Sequence, residues 1–227
     1  MKEVQTMQKL QISALYDLSY TLAASLLAEV TYPWEVLSRL SDFIRQTGKS
    51  LSEEEFELWG EDVWVAKSAT VAKSAYVEGP CIICAGAQVR HAAFIRGSVL
   101  VGAGAVVGNS TELKNCILFD KVEVPHFNYV GDSILGYKAH LGAGAVTSNI
   151  KSDRTPVTVA CDGKRVETGC RKLGAMLGDF AEVGCNSVLN PGTVIGPHTT
   201  IYPLSSVRGY VPAESIYKSG DCIVAKR

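Results

Sequence analysis

Large apolar residues recur at every sixth position from Val65 to Phe119: Val65, Val71, Val77, Ile83, Val89, Ile95, Val101, Val107, Leu113 and Phe119. A second ladder in step with it is mostly small: Ala69, Ala75, Cys81, Ala87, Ala93, Val99, Ala105, Thr111 and Ile117. The positions between are rich in Gly, Ser, Lys and Asn. A helical period of about 3.6 cannot produce this pattern, and neither can an unbroken alternation of about two. Six residues suffice for one short strand and a corner. Three such sides close a coil, and stacked coils form a prism rising about 4.8 Å per coil. The large residue is expected inside, with the small one in the tight corner beside it. The register slips by two before Leu135 and continues through Leu141–Ala145. It returns as Leu177, Val183, Leu189, Ile195, Ile201 and Val207, with Ala181, Ser187, Thr193, Thr199 and Ser205 at the small positions. The fold class is therefore an all-β solenoid of hexapeptide repeats, a parallel β-helix, with an N-terminal helical segment.

Two stretches depart from the period. Leu15, Leu18, Leu22 and Leu26 lie three and four apart and predict a helix over Ser13–Glu29. Pro33 suits the first turn of a second helix with Leu37, Leu40, Phe43 and Ile44 on its apolar stripe, and Gly48 suits its end. Ser52–Glu55 begins a third short turn. Such a helical pair caps an open solenoid end or packs against a neighbouring subunit; a partner-binding module is the alternative. The second departure is 148–173, where Val157–Val166 reads as a hairpin with Asp162-Gly163 at its tip. It carries Lys151, Arg154, Lys164, Arg165, Arg171 and Lys172, and is either a solvated hairpin or a phosphate-binding flap. The expected organisation is a helical cap over 1–60, the repeat over 61–212 and a tail over 213–227.

Composition narrows the class of partner. Twenty-two Lys and Arg against 23 Asp and Glu leave a net charge of −1, with no basic block for a phosphate backbone, so nucleic acid is not an expected partner. No run reaches the roughly 18 uninterrupted apolar residues of a membrane span, and the first residues lack a signal-peptide pattern. A cytoplasmic location is expected. Seven cysteines, an odd number and widely spaced, read as reduced thiols. Cys81 and Cys84 have the CxxC spacing, but no second pair follows and Cys81 occupies a small position of the repeat.

Three functions compete on such a prism: acyl transfer from a coenzyme A thioester, a zinc hydratase, and a non-catalytic solenoid that assembles partners. Zinc needs about three convergent ligands. The four histidines, His91, His126, His140 and His198, include no close His-x4-His pair, so no metal site is expected. Thioester aminolysis needs only a base for the amine, alignment of the reactants and a donor for the developing oxyanion. A histidine suits the first task.

The run His126-Phe-Asn-Tyr129-Val-Gly131-Asp132-Ser, followed by Leu141-Gly-Ala-Gly-Ala-Val-Thr-Ser-Asn149, resembles the catalytic block of a known family. That family is the acetyltransferase domain of the bifunctional enzyme making UDP-N-acetylglucosamine, a glucosamine-1-phosphate acetyltransferase joined to a uridylyltransferase. Gly163-Lys-Arg, Cys170-Arg-Lys-Leu-Gly-Ala, Val183-Gly184 and Pro191-Gly192 are similar to archaeal-type sugar-phosphate nucleotidyltransferases with an acetyltransferase tail. The resemblance spans about 65–212 and implies a left-handed β-helix, acetyl-CoA as co-substrate, an amino-sugar or sugar phosphate as acceptor, and a homotrimer with sites between prisms. It implies His126 as the catalytic base, and Arg96, Lys114, Tyr129, His140 and Asn149 as substrate-binding. Ala143, Cys185 and Pro203 fall where the family contacts coenzyme A. His140 departs from the family's usual Asn, which puts the identity of the acceptor in question. Arg96 and Lys114, eighteen apart, are expected to stack outward on one face, as a site or as a solvated pair; Glu112 is placed to pair with either. Residues 1–60 carry no nucleotide loop, so uridylyl transfer is not expected of this chain.

Overall fold

The computed structural model describes residues 7–220 and 222–226. From Val63 onward the chain winds through short parallel strands whose partners lie one coil away, forming a β-solenoid with three faces. The first face comprises Val63–Ala66, Cys81–Ile83, Val99–Val101, the ends of Glu112–Leu118 and Tyr129–Leu135, then Ala175–Leu177, Thr193–Ile195 and Tyr210–Val211. The second face is a nine-stranded sheet running from Thr70–Val71 through Gln88–Val89, Val106–Asn109, Glu123–His126, His140–Leu141, Glu182–Val183 and Thr200–Ile201 to a closing hairpin. The third face runs from Tyr76–Glu78 and Phe94–Arg96 to Val188–Leu189 and Ser206–Val207.

The inward ladder is the hexad ladder. Ile83, Val101, Leu118 and Leu135 align on the first face, Val107, Val124 and Leu141 on the second, and Ile95, Leu113 and Val130 on the third. All are fully buried. The small positions Ala87, Ala105, Thr111, Ala181, Ser187, Thr193 and Thr199 are buried as well. The expected slip of two is instead two slips of one. Leu113 is followed on the ladder by Leu118, and Val130 by Leu135, a step of five each time. Both deletions fall at the corner between the third and first faces. There Glu112–Leu118 and Tyr129–Leu135 run through as single seven-residue strands.

On the first face the outward positions are apolar too. Ile82, Leu100, Ile117, Ile134, Met176 and Val194 point away from the prism yet are at most 1 % exposed. The N-terminal segment covers most of this stripe. It is not one long helix over 13–29 but short turns at Ile12–Leu15, Leu18–Tyr20 and Ala24–Ala28. The Asp17 carboxylate accepts from Ser19 N, and Thr21 Oγ1 from Ala23 N, so local side chains compete with helical bonding. Leu22, expected on the apolar stripe, is exposed. A turn at Pro33–Val36 and the helix Leu40–Lys49 follow, close to expectation, with Leu40, Ile44 and Gly48 facing the prism. A Cβ on Gly48 would lie 2.3 Å from the Trp64 ring, so glycine permits this approach.

The segment lies along the side of the prism and runs against its direction. Leu15 O accepts from Asp179 N of a late coil, Tyr20 O from Asp120 N, and Arg45 pairs with Asp62 in the first coil at 2.8 Å. It is a lateral strap, not an end cap. Phe56–Gly60, at the end of the expected helical region, is a strand antiparallel to Val63–Ala66. The expected tail is also structured: Ser215–Ser219 joins the second face and Cys222–Ala225 folds back antiparallel on it.

The excursion forms the expected hairpin, Thr158–Cys161 paired with Lys164–Glu167. Val157 and Val159 are buried, and the hairpin rests on the late coils of the first face, close against the backbone at Gly192 and Gly209. Strap and hairpin thus cover one face together, opposite the corner between the second and third faces. No helix among the described residues is long and apolar enough to cross a membrane.

Candidate active site

His126 ends the strand Glu123–His126 at that opposite corner, and its side chain is exposed. The corner is built by a buried amide. Asn128, 2 % exposed, accepts from His126 N at 3.1 Å through Oδ1. Its Nδ2 donates to Gly142 O and Ala145 O of the next coil, both at 2.9 Å. Thr111 Oγ1 in turn donates to Val124 O and accepts from Asn128 N. Phe127, between His126 and Asn128, takes φ of 53° and turns outward, 61 % exposed. On the coil below, Gly108 admits the strand: a Cβ there would sit 1.6 Å from Pro125 O.

Successive coils stack their corner residues in one column. Asn109 O accepts from Phe127 N, His126 O from Gly144 N, Ala143 O from Asn186 N, and Cys185 O from Leu204 N. His126, Ala143, Cys185 and Pro203, which the resemblance singled out one by one, therefore follow one another along a single edge. Cys185 and Pro203 are exposed and Ala143 half-buried.

The third face rises beside this edge. Arg96 and Lys114 occupy equivalent outward positions one coil apart, since Ile95 pairs with Leu113. Of the two possible partners, Glu112 takes Arg96: Oε1 accepts from Nη1 at 2.7 Å, and this bond raises the guanidinium pKa further. Tyr129 begins the next strand of this face, in register with Glu112. Its hydroxyl accepts from Asn149 Nδ2 at 3.2 Å, and burial raises its pKa. Asn149 also donates to Asp132 Oδ2 at 2.6 Å, while Asn115 Nδ2 donates to Asp132 Oδ1 at 2.8 Å. Asp132, 5 % exposed, thereby ties three consecutive coils at the shortened corner. Sequence reasoning passed over Asn115, Asp132 as a clamp, and Asn128. The slip before Leu135 was the readable signal for Asp132, whereas nothing in the spacing marked Asn115, since Leu113 and Phe119 keep the step of six.

His140 does not join this group within one chain. It sits at the far edge of the second face, in register with Glu123 and Glu182, with Nδ1 3.6 Å from Glu182 Oε2. It lines a separate groove of about 710 Å³ with Lys121, Lys138 and Phe180. Of the cations in the excursion, Lys164 and Arg165 lie on the hairpin, on the face opposite His126, while Lys151 pairs locally with Asp153 and Lys172 lines a groove with Asn115. Cys81 and Cys84 are buried thiols whose pKa burial pushes up, that of Cys84 to about 12, which suits packing and not redox exchange. Among the described residues no three His, Cys, Asp or Glu side chains cluster as metal ligands.

A hexapeptide-repeat solenoid bearing a histidine edge beside a polar face is the class that fold and site define. Comparison with known proteins narrows it. Residues 77–177 match the family model of the GMPPB C-terminal domain. The chain is 32 % identical over 203 residues to the bifunctional protein GlmU of Methanococcus maripaludis, covering 88 % of this chain and 49 % of that one. It is 38 % identical over 94 residues to a bifunctional sugar-1-phosphate nucleotidylyltransferase/acetyltransferase of Sulfurisphaera tokodaii, covering 41 % of this chain and 23 % of the relative. The chain spans half or less of the length of these relatives. Among solved structures, the polySia-specific acetyltransferase NeuO aligns over 73 % of this chain and 86 % of its own, with 11 % identity and a TM-score of 0.43.

Proposed function

We propose that the protein is an acetyl-CoA-dependent N-acetyltransferase acting on an amino-sugar, in particular an amino-sugar 1-phosphate. The observation that carries this reading is the single edge on which His126, Ala143, Cys185 and Pro203 follow one another, beside the face bearing Arg96, Lys114 and Tyr129. Relatives named as sugar-1-phosphate nucleotidylyltransferase/acetyltransferase support it.

The thioester lies along the edge over Ala143, Cys185 and Pro203, with its carbonyl next to His126. The acceptor lies across the third face, its phosphate met by Lys114 and Arg96 and its ring by Tyr129 and Asn149. Charged hydrogen bonds from both cations suit a phosphate. His126 takes a proton from the acceptor amine as nitrogen attacks the acetyl carbon. The C–N bond forms, the C–S bond breaks, and the coenzyme A thiolate leaves and is reprotonated from the imidazolium. No protein nucleophile is needed, because the thioester is already activated.

His126 and Phe127 stand on a convex edge open to solvent, so the reading includes a homotrimer in which a neighbouring prism closes the groove. The open second and third faces are free to pack, whereas the first is covered by the chain's own strap and hairpin. In that assembly His140 reaches a site only from a neighbour's second face. Reduced thiols fit a cytoplasmic setting. The test is thiol release from acetyl-CoA across a panel of amino-sugars and their 1-phosphates, with light scattering on the same sample. Release stimulated by an amino-sugar 1-phosphate from a trimer is expected. A monomer at micromolar concentration, or no stimulation by any acceptor, leaves a non-catalytic solenoid that binds sugar nucleotides or assembles partners.

A further inference from the structure

The edge that carries His126 continues in the other direction, toward the first coil, and there it bears a second histidine. His91 O accepts from Ser110 N at 3.2 Å and from Asn109 Nδ2 at 3.2 Å, which places His91 two coils before His126 in the same column. At about 4.8 Å per coil the two imidazoles are about 10 Å apart along the edge. His91 is exposed, and it is held. Its Nδ1 lies 2.7 Å from Ser74 Oγ, and Ser74 Oγ also accepts from Ala92 N at 3.4 Å.

That contact holds the ring by Nδ1. Ser74 Oγ accepts from the Ala92 amide through one lone pair, and with its hydroxyl hydrogen directed at Nδ1 the neutral ring presents Nε2–H outward, away from Ser74.

Position gives the donor its partner. With the thioester on the edge downstream of His126, the upstream stretch of that edge is left open to the part of the acceptor nearest Arg96. The coil containing His91 is the coil containing Arg96: Phe94–Arg96 begins three residues after His91. Moving across that coil, a ligand meets His91 at the edge and Arg96 on the face, with Glu112 and Lys114 one coil nearer to His126.

Resting on the acetyltransferase reading, we propose that His91, oriented by Ser74, is a further acceptor-binding residue whose Nε2–H donates to a hydroxyl or phosphate oxygen of the sugar phosphate. It favours acceptors that reach two coils upstream of His126 over bare amines. Ser74 is the positioning residue that holds the ring by Nδ1.

The experiment measures acceptor and acetyl-CoA KM separately, together with calorimetric binding of glucosamine 1-phosphate, for the full chain and for His91→Ala, His91→Gln and Ser74→Ala. His91→Ala is expected to weaken acceptor binding about 3–10-fold, the size of one neutral hydrogen bond, with the acetyl-CoA KM unchanged. His91→Gln keeps a donor at the reach of Nε2 and should recover most of the loss. Ser74→Ala should fall between the two. All sites are exposed, so thermal unfolding should be unchanged. The inference is overturned if His91→Ala binds glucosamine 1-phosphate as the parent does, or if the loss falls equally on acetyl-CoA. A parent chain that binds acetyl-CoA and this acceptor while His91 is silent leaves the acetyltransferase reading standing. A parent that neither binds nor turns over the acceptor removes both.

Discussion

The first and third faces of the prism share one repeat and one inward ladder, yet their outward positions differ completely. On the first, Ile82, Leu100, Ile117 and Ile134 stack outward and lie under the strap. On the third, the register partners are Tyr76, Phe94, Glu112 and Tyr129, flanked by Arg96 and Lys114. The inward residues only make a solenoid. The outward ones decide what a face does: one is finished by the chain itself, and the other is left with its hydrogen-bonding groups available. The residues proposed for the site, His140 excepted, stand on or beside the open face, while the two non-repeat segments both rest on the closed one.

The sharpest way to break this contrast is chemical. His126→Ala should lower turnover by roughly 10²–10⁴-fold, the range of general acid–base catalysis. It should leave acetyl-CoA binding and the unfolding midpoint intact, since the side chain is exposed. Full activity in this variant would sink the assignment of the open edge as the catalytic one.

The closed face should respond in stability instead. Leu100 points out of the prism but is wholly buried beneath the helix Leu40–Lys49. Leu100→Ala is expected to cost about 2–5 kcal/mol in denaturant unfolding, as for a buried leucine elsewhere. Gln88→Ala, an outward residue of the second face, should stay within about 0.5 kcal/mol. Equal effects would mean that the strap is only loosely attached.

Asp179 tests the attachment with a smaller effect. It is 8 % exposed and joins strap to coil, accepting from Asp17 N at 2.7 Å and Tyr137 N at 2.8 Å. Asp179→Ala leaves two amides without acceptors and should cost about 1–3 kcal/mol, with faster proteolysis before Pro33. Burial outweighs those two bonds and raises the carboxyl pKa. A raised folded pKa means the native state holds the proton more tightly than the unfolded chain. This contribution therefore favours the fold at low pH and is lost as pH rises through the folded value. The parent should gain stability relative to Asp179→Asn on acidification into that window.

The repeat was legible because its constraint is local and periodic: every inward position of the late coils, from Leu177 to Val207, is buried as the spacing requires. The resemblance singled out His126, Ala143, Cys185 and Pro203 separately, and only coil stacking places them in one column. What failed had non-local causes. The leucines at 15, 18, 22 and 26 fit a helix, but the segment lies along a flat sheet and Asp17 and Thr21 cap its backbone at short range. His140 is near His126 in sequence, yet the width of the second face separates them. The His91–Ser74 pair, seventeen residues apart, becomes adjacent only once the coil length is known.

The finest test of the open edge uses its thiol. Five cysteines are buried or half-buried, and burial raises the pKa of each, to about 11 for Cys161. Cys185 and Cys222 are the exposed pair. Since the thiolate is the reacting species, brief alkylation at mildly alkaline pH should modify these two first. They lie in different places: Cys185 on the edge two coils past His126, Cys222 on the closing hairpin at the end of the second face. Acetyl-CoA at saturating concentration should slow alkylation of Cys185 several-fold and leave Cys222 unchanged, as read by peptide mass spectrometry. A trimer alone would shield Cys185 with or without the thioester, so the ligand-dependent difference is what counts. Equal protection of both thiols, or of neither, would move the thioester off this edge.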